Sequence, residues 1–287
     1  MAEATKIHLG TCAWAYEDWR DVFYPAHLPS GERLAYYARI FRSVEIDSTF
    51  YSAPSLHVAE HWLECTPEEF VFSAKIPREI THDRKLRDCG ELLRGFLDRM
   101  EPLRPKMGAL LIQLPPYFTL EHDEQAFREF VRILPRDWRF AIEFRASDWH
   151  LPRTAHLLEE HGVAWAWIDS TGPEQGSEGA LEFRPRTAKF AYVRLMGDLD
   201  AKYDAGGGRI HRYTKLEWQR DLALDTWAER IRQTAAQDDD VFVYASNHFE
   251  GFGPETCHRM ADRIDPAILR PALRERDKET AEQLPLF

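Results

Sequence analysis

Short β-rich runs at 7–14, 43–51, 70–77, 108–116, 139–145, 164–170, 190–197 and 241–247 alternate with helical patterns along nearly the whole chain. Eight runs in that rhythm are the mark of repeated βα units around a parallel sheet, and they predict an α/β fold, a single (β/α)₈ TIM barrel. The intervening stripes carry apolar residues at i, i+3, i+4 and i+7, the spacing that turns one helical face toward a core. Leu34, Tyr37, Ala38 and Phe41 follow it, as do Leu93, Phe96, Leu97 and Met100, then Phe127, Phe130, Val131 and Leu134, and finally Cys257, Met260, Ala261 and Ile264. Thr214 with Glu217 resembles a capping box, predicting a helix that carries Trp218 and Trp227. Two long loops break the rhythm, 171–188 and 198–215, and in a barrel the loops after strands lie on the catalytic face. Residues 1–265 are expected to form the barrel and 266–287, rich in Pro, Arg, Asp and Glu, a polar C-terminal tail.

A chain of 287 residues suits one α/β barrel, and its 44% hydrophobic content is enough for a large core. The net charge of -11 disfavours broad binding to nucleic acid or anionic membrane. Cys12, Cys65, Cys89 and Cys257 are scattered without a CxxC pair, which fits neither a disulfide scaffold nor a structural zinc site and agrees with a reducing cytoplasm. The N-terminal stretch is too short and polar for a signal peptide or membrane span, so a cytoplasmic location is expected.

Side chains alternate faces along a strand, so parity separates those pointing into a barrel from those packing on helices. By that rule Glu45 and Asp47, Lys75, Gln113, Glu143 and Arg145, Asp169 and Arg194 are expected to point inward at the strand ends. Burying ions costs several kcal/mol unless they are paired, so stability alone does not select such a ring. A pocket open to a ligand is one explanation. The other is a plugging network in which Glu143 pairs with Arg145, and Lys75 or Arg194 with a carboxylate.

In the pocket reading Glu143 and Asp169 are the acid/base candidates, with Glu45 and Asp47 as further carboxylates. Lys75, Arg145 and Arg194 stabilise an anion or transition state, while Gln113 and Asn247 orient. His82 and His248 sit beyond strands three and eight, where a proton shuttle reaches such a pocket. No cofactor is required; the same carboxylates are compatible with Mg²⁺ or Mn²⁺, although the adjacent cations offset their charge. HExxH, GxSxG, GxGxxG and Walker sequences are absent, which argues against the chemistries they carry. Gly206, Gly207, Gly208 and Arg209 in the loop after strand seven suit a phosphate or simply make a flexible turn. Trp14, Tyr16, Trp19, Tyr51 and Trp149 cluster near strand ends, where such rings either stack a base or sugar or belong to the core.

Gly10-Thr11-Cys12-Ala13-Trp14, Val44 through Tyr51, Ile80-Thr81-His82, Gln113-Leu114-Pro115-Pro116, Glu143-Phe144-Arg145 with Trp149, Tyr192-Val193-Arg194-Leu195 and Asn247-His248 stand in one order. Together they resemble the domain of unknown function 72 family over roughly 7–264. The resemblance implies a TIM barrel and names no reaction. Three positions depart from the family pattern: Asp47 where Asn is usual, Met196 where His is common, and Ser246 where a first Asn precedes Asn247. Any mechanism that needs a His at 196 is therefore in doubt, because Met carries no protons.

The chain closes on Gln283-Leu284-Pro285-Leu286-Phe287, which resembles the short peptide that docks bacterial DNA-metabolism proteins into a sliding clamp. Gln283, Leu284, Leu286 and Phe287 are the anchors in that reading; the alternative folds Leu286 and Phe287 back onto the barrel. Two functions follow. The first is a hydrolase, lyase or other acid/base enzyme on a phosphate- or sugar-containing ligand such as a nucleotide, with a link to DNA repair. The second is a noncatalytic ligand- or DNA-binding adaptor recruited by the clamp.

Overall fold

The computed structural model describes residues 6–171, 182–198, 212–237 and 239–269. Its strands are β1 (Ile7–Thr11), β2 (Ser43–Ile46), β3 (Val71–Lys75), β4 (Met107–Gln113), β5 (Phe140–Glu143), β6 (Ala164–Asp169), β7 (Phe190–Leu195) and β8 (Asp240–Ala245). Each lies on one of the β-rich runs and stops before the run does, because the polar and proline-bearing ends belong to loops. All the ladders are parallel, in the order β1-β8-β7-β6-β5-β4-β3-β2. The ring closes at β1 and β2 through a different device.

At that seam the Tyr37 hydroxyl stands between the two strands, accepting from Thr11 N at 2.8 Å and donating to Ser43 O at 3.1 Å. Higher up, Ala13 N donates to Glu45 O at 2.8 Å. Gly10 makes the approach possible, since a Cβ there would lie 1.9 Å from Ser43 O. Any side chain at position 10 would force the seam apart.

Outside the strands lie α1 (Arg33–Tyr37), α2 (Leu56–Glu64), α3 (Gly90–Met100), α4 (Leu120–Ile133), α5 (Pro152–His161), α6 (Asp221–Ala235), α7 (Asn247–Glu250) and α8 (Gly253–Ile264). The four apolar stripes read from the sequence pack against the outer face of the sheet, all buried but the half-buried Ile264, although Ala38 and Phe41 lie beyond the end of α1 and Leu134 beyond that of α4. Burial of a Phe, Leu or Val side chain of this kind contributes about 1.5–3 kcal/mol.

Two boundaries differ from expectation. The helix carrying Trp227 begins at Asp221, so Thr214 and Glu217 do not cap it and Trp218 precedes it. Trp218 is instead held by its indole N–H on Phe249 O at 2.8 Å, and Glu217 N donates to Glu250 O. The packed chain also continues past 265: a turn at Pro266–Ile268 follows α8, and Ile268 and Leu269 are buried in the core. No helix among the described residues is long and apolar enough to cross a membrane.

Candidate functional site

Register decides which side chains enter the barrel, because neighbours across a parallel ladder share a face. Gln113 pairs with Glu143, Glu45 with Ser73, Lys75 with Leu111 and Arg194 with Tyr244, and all of these are interior. The lower interior is filled by Phe190, Phe242 and His8, the last two stacked at 4.9 Å. Above them Tyr244 donates to Ser73 Oγ at 2.9 Å and shares a hydrogen bond with Ser43 Oγ at 2.8 Å. The charged layer comes next.

Arg194 is fully buried at its centre. Its Nε and Nη2 grip Glu45 at 3.0 and 2.8 Å, and Nη1 donates to Glu143 at 2.5 Å and to Gln113 Oε1 at 3.3 Å. Tyr192 adds a 2.7 Å bond to Glu45. Burial alone would lower the Arg194 pKa, but Glu45 and Glu143 outweigh it and push the pKa well up. Burial likewise works to raise the Glu143 pKa, and Arg194 and Arg145 overcome it, holding the carboxyl below its usual range. Glu143 therefore stays ionised at neutral pH, which removes it as a proton donor. The expected use of Arg194 on a ligand is corrected too: every edge of its guanidinium is taken and none of it reaches solvent. This layer is the plugging network that the sequence offered as an alternative.

A second layer stands above the plug. Lys75 pairs with Asp47, with 11% and 34% of their side chains exposed. Arg145 is 30% exposed and tied to Glu143 through Nε at 2.9 Å. Its two terminal nitrogens have no hydrogen-bond partner among the described residues. Arg145 lines a cavity of about 400 Å³ together with Glu143, Ser147, His150, Ser170, Arg184, Met196 and Asp198. His82 comes from a π-helical turn at Glu79–Asp83 after β3, with its Nδ1 2.9 Å from Thr81 Oγ1. Burial lowers the His82 pKa, and Arg145 and Arg78 lower it further, so the imidazole is neutral at pH 7. A larger groove of about 900 Å³ runs over α4 on the outer surface, far from the interior charges.

Asp169 is not in the mouth. It pairs across the ladder with Leu195 and faces outward, while Ile168, opposite Arg194, faces in. Its carboxylate accepts from Trp227 Nε1 at 2.7 Å, Arg220 Nη2 at 3.2 Å and Thr171 Oγ1 at 2.6 Å, all behind the sheet. Asn247 is likewise turned away: Oδ1 accepts from Gly253 N at 2.9 Å and Trp19 Nε1 at 3.3 Å. Trp149 is core, stacked on Phe118 and Phe144 with its N–H on Phe118 O. Trp14 is buried edge-on against Trp62 of α2, whereas Tyr51 stands 77% exposed on the rim. Arg209 and its glycines, with Gln283, Leu284, Leu286 and Phe287, lie outside the described residues. His150 and Arg184 were missed; position in the loops after β5 and β6 was the available signal. Among the described residues no group of three or more His, Cys, Asp or Glu side chains gathers as a metal site.

An eight-stranded α/β barrel with an ion-paired interior and a polar cavity at the carboxyl ends of its strands is the class these features define. Within it the chain belongs to the family described as Protein of unknown function DUF72, whose model matches residues 8–280. It is 26% identical to UPF0759 protein YunF of Bacillus subtilis over 276 residues, covering 90% of this chain and 95% of that protein. It is 33% identical to UPF0759 protein YecE of Escherichia coli over 139 residues, 48% of each, so the match spans about half the length of that relative. Among solved structures, a DUF72 family protein from Enterococcus faecalis V583 superimposes with TM-score 0.72 at 20% identity, over 90% of this chain and 95% of that one. One from Thermotoga maritima MSB8 does so with TM-score 0.65 at 23% identity, over 90% and 99%. These structures share the TIM-like fold.

Proposed function

We propose that the mouth binds a small anionic ligand through a phosphate group and that the chain is an acid/base enzyme acting on it. The observation that carries this reading is Arg145. Its Nε is anchored by a carboxylate that is itself locked to Arg194, its terminal nitrogens are unclaimed among the described residues, and the residue lines the 400 Å³ cavity. A guanidinium oriented in this way is prepaid for a two-pronged contact with phosphate. Arg184 and His150 add positive charge or hydrogen-bond donors on the same wall, and Ser147 and Ser170 add hydroxyls. His82, neutral and half-buried within the field of Arg145, is the proton acceptor. Glu143 then serves by positioning Arg145.

Isothermal titration with inorganic phosphate and ribose 5-phosphate tests the binding step. Wild type should bind ribose 5-phosphate, and Arg145→Ala should weaken it about 10-fold or more, the loss of one charge-assisted pair. Unchanged affinity in the variant discards the assignment. Repeating the titration with Mg²⁺ or Mn²⁺ asks whether a divalent ion accompanies the phosphate. Recruitment by a sliding clamp through Gln283, Leu284, Leu286 and Phe287 is a separate proposal resting on the tail sequence. It fails if the terminal peptide shows no clamp binding by fluorescence anisotropy.

A further inference from the structure

The cavity beside Arg145 provides for the anionic end of a ligand but leaves a row of rings on the rim in which only His82 has a role. Tyr51 meets Phe50 at 5.3 Å, Phe50 meets His82 at 5.0 Å and His82 meets Tyr117 at 6.4 Å, with interplanar angles of 87°, 84° and 84°. The four rings come from the loops after β2, β3 and β4, three successive loops at the carboxyl ends of the strands. Tyr51 and Tyr117 at the two ends of the row are 77% and 52% exposed. A single exposed tyrosine needs no explanation. A continuous edge-to-face row built from three separate loops does, because packing for stability alone would turn the outer rings inward.

Two lysines flank the row. Lys75 Nζ lies 5.7 Å from the Phe50 centroid and Lys85 Nζ 5.2 Å from that of Tyr117. The backbone that delivers Lys85 is strained: Lys85, Leu86 and Asp88 adopt φ of 47°, 66° and 52°, in the left-handed region that non-glycine residues avoid. Leu86, buried and bonded from its N–H to Ile80 O, holds this path in place. The rings stand outside the cavity lining, and the nearest link between the two is Pro116, next to Tyr117 in the chain, which lines the cavity together with Arg145.

We propose that this row is a stacking wall for the flat heteroaromatic part of the ligand, so that the mouth takes a mononucleotide in preference to a bare sugar phosphate. The inference rests on the anion-binding reading above and deepens it. Tyrosine faces stack on a base of any identity, while a sugar offers only C–H edges. A single-stranded polynucleotide is disfavoured by the charge pattern: Arg78, Arg84 and Arg87 along the same rim are each paired with an acid, namely Asp83, Glu79 and Asp123. With a chain charge of -11, they leave no continuous track of unpaired cations along this rim among the described residues, as a phosphate backbone would need.

Isothermal titration with adenosine 5′-monophosphate and ribose 5-phosphate, against wild type, Arg145→Ala and the double variant Tyr51→Ala/Tyr117→Ala, decides it. Both tyrosines are exposed, so the double variant should keep the fold, which circular dichroism checks. Wild type should bind the nucleotide about 10-fold more tightly, a stacking gain of ordinary size. The double variant should bring the nucleotide down to the affinity of ribose 5-phosphate and leave the latter unchanged. Equal binding of the two probes by wild type, both weakened in Arg145→Ala, overturns the wall and leaves the anion site standing. A nucleotide preference that survives in the double variant also overturns the wall. If wild type binds neither probe, both readings fall.

Discussion

Arg194 and Arg220 are both buried, on opposite faces of the same stretch of sheet, and they are satisfied in different ways. Arg194, inside the barrel, has all three guanidinium nitrogens bonded and draws its partners from β2, β4 and β5. Arg220, behind the sheet, uses Nη2 alone, on Asp169 and Thr171, and lies 4.1 Å over the Phe249 ring; its Nε and Nη1 have no partner among the described residues. The inner arginine cross-links the barrel at the level where the pocket begins. The outer one fastens the start of α6 to the end of β6. One cluster sets the floor under the mouth and the other is a joint.

The largest consequence is for stability. Arg194→Met leaves Glu45 and Glu143 buried without their shared cation, and breaking a buried pair from one side costs about 3–5 kcal/mol. Arg220→Met leaves one carboxylate that keeps its bonds from Trp227 and Thr171. A loss of about 1–3 kcal/mol is expected there. Urea denaturation at pH 7 measures both, and equal losses would erase the distinction between floor and joint.

Asp169→Asn sharpens it next. The amide is nearly isosteric but gives up the charge facing Arg220, so about 1–3 kcal/mol of stability should go. Binding of ribose 5-phosphate should stay as in wild type, because the side chain is behind the sheet. Weakened binding in a folded Asp169→Asn protein would return this residue to the site.

The fold was legible because hydrophobic period needs no partner to be read: eight runs and four stripes each report their own burial. The inner cluster was legible in the strands where polar and apolar residues alternate, as in Val44-Glu45-Ile46-Asp47. Parity failed in β6, where the inward positions are Ala164, Ala166 and Ile168 and the outward ones are Trp165, Trp167 and Asp169. With apolar residues on both faces, a terminal aspartate carries no sign of its side, and only the register against β7 settles it. Asn247 failed for a different reason: it opens α7 instead of continuing β8, so strand parity does not apply to it. Nor does a sequence tell an open arginine from a closed one. Arg145 and Arg194 both follow the inward rule, and the difference lies in how many carboxylates converge on each.

Titration separates floor from rim by pH. Burial lowers the pKa of His82, His150 and His248 from 6.5, with Arg145 acting further on His82 and Arg184 on His150. The unfolded chain then binds protons before the folded one does, so stability present above pH 6.5 should decline as the pH falls through that value. Glu143, held below its ordinary 4.5 by Arg194 and Arg145 against its burial, adds a second decline only below that pH. Thermal melts between pH 8 and pH 3 should show two steps of falling Tm. A Tm that holds level from pH 7 to pH 5 contradicts the neutral, half-buried histidines, and a His82→Gln variant should soften the first step and leave the second.

The smallest effect on stability should come with the largest on binding. Arg145→Ala removes one partner of Glu143 and leaves Arg194, whose bond to the same carboxylate survives. Because the Arg145 side chain is partly exposed, its pair is screened by solvent, and about 1 kcal/mol or less should be lost in urea. If the floor exists to present this side chain, ligand affinity must collapse while the fold barely registers the change. Arg145→Lys distinguishes charge from shape: a point charge restores attraction to phosphate but not the fork anchored by Glu143. Its affinity should therefore fall between those of wild type and Arg145→Ala. A lysine variant that binds as tightly as wild type would mean that the carboxylate beneath contributes nothing to recognition, and that floor and rim are independent.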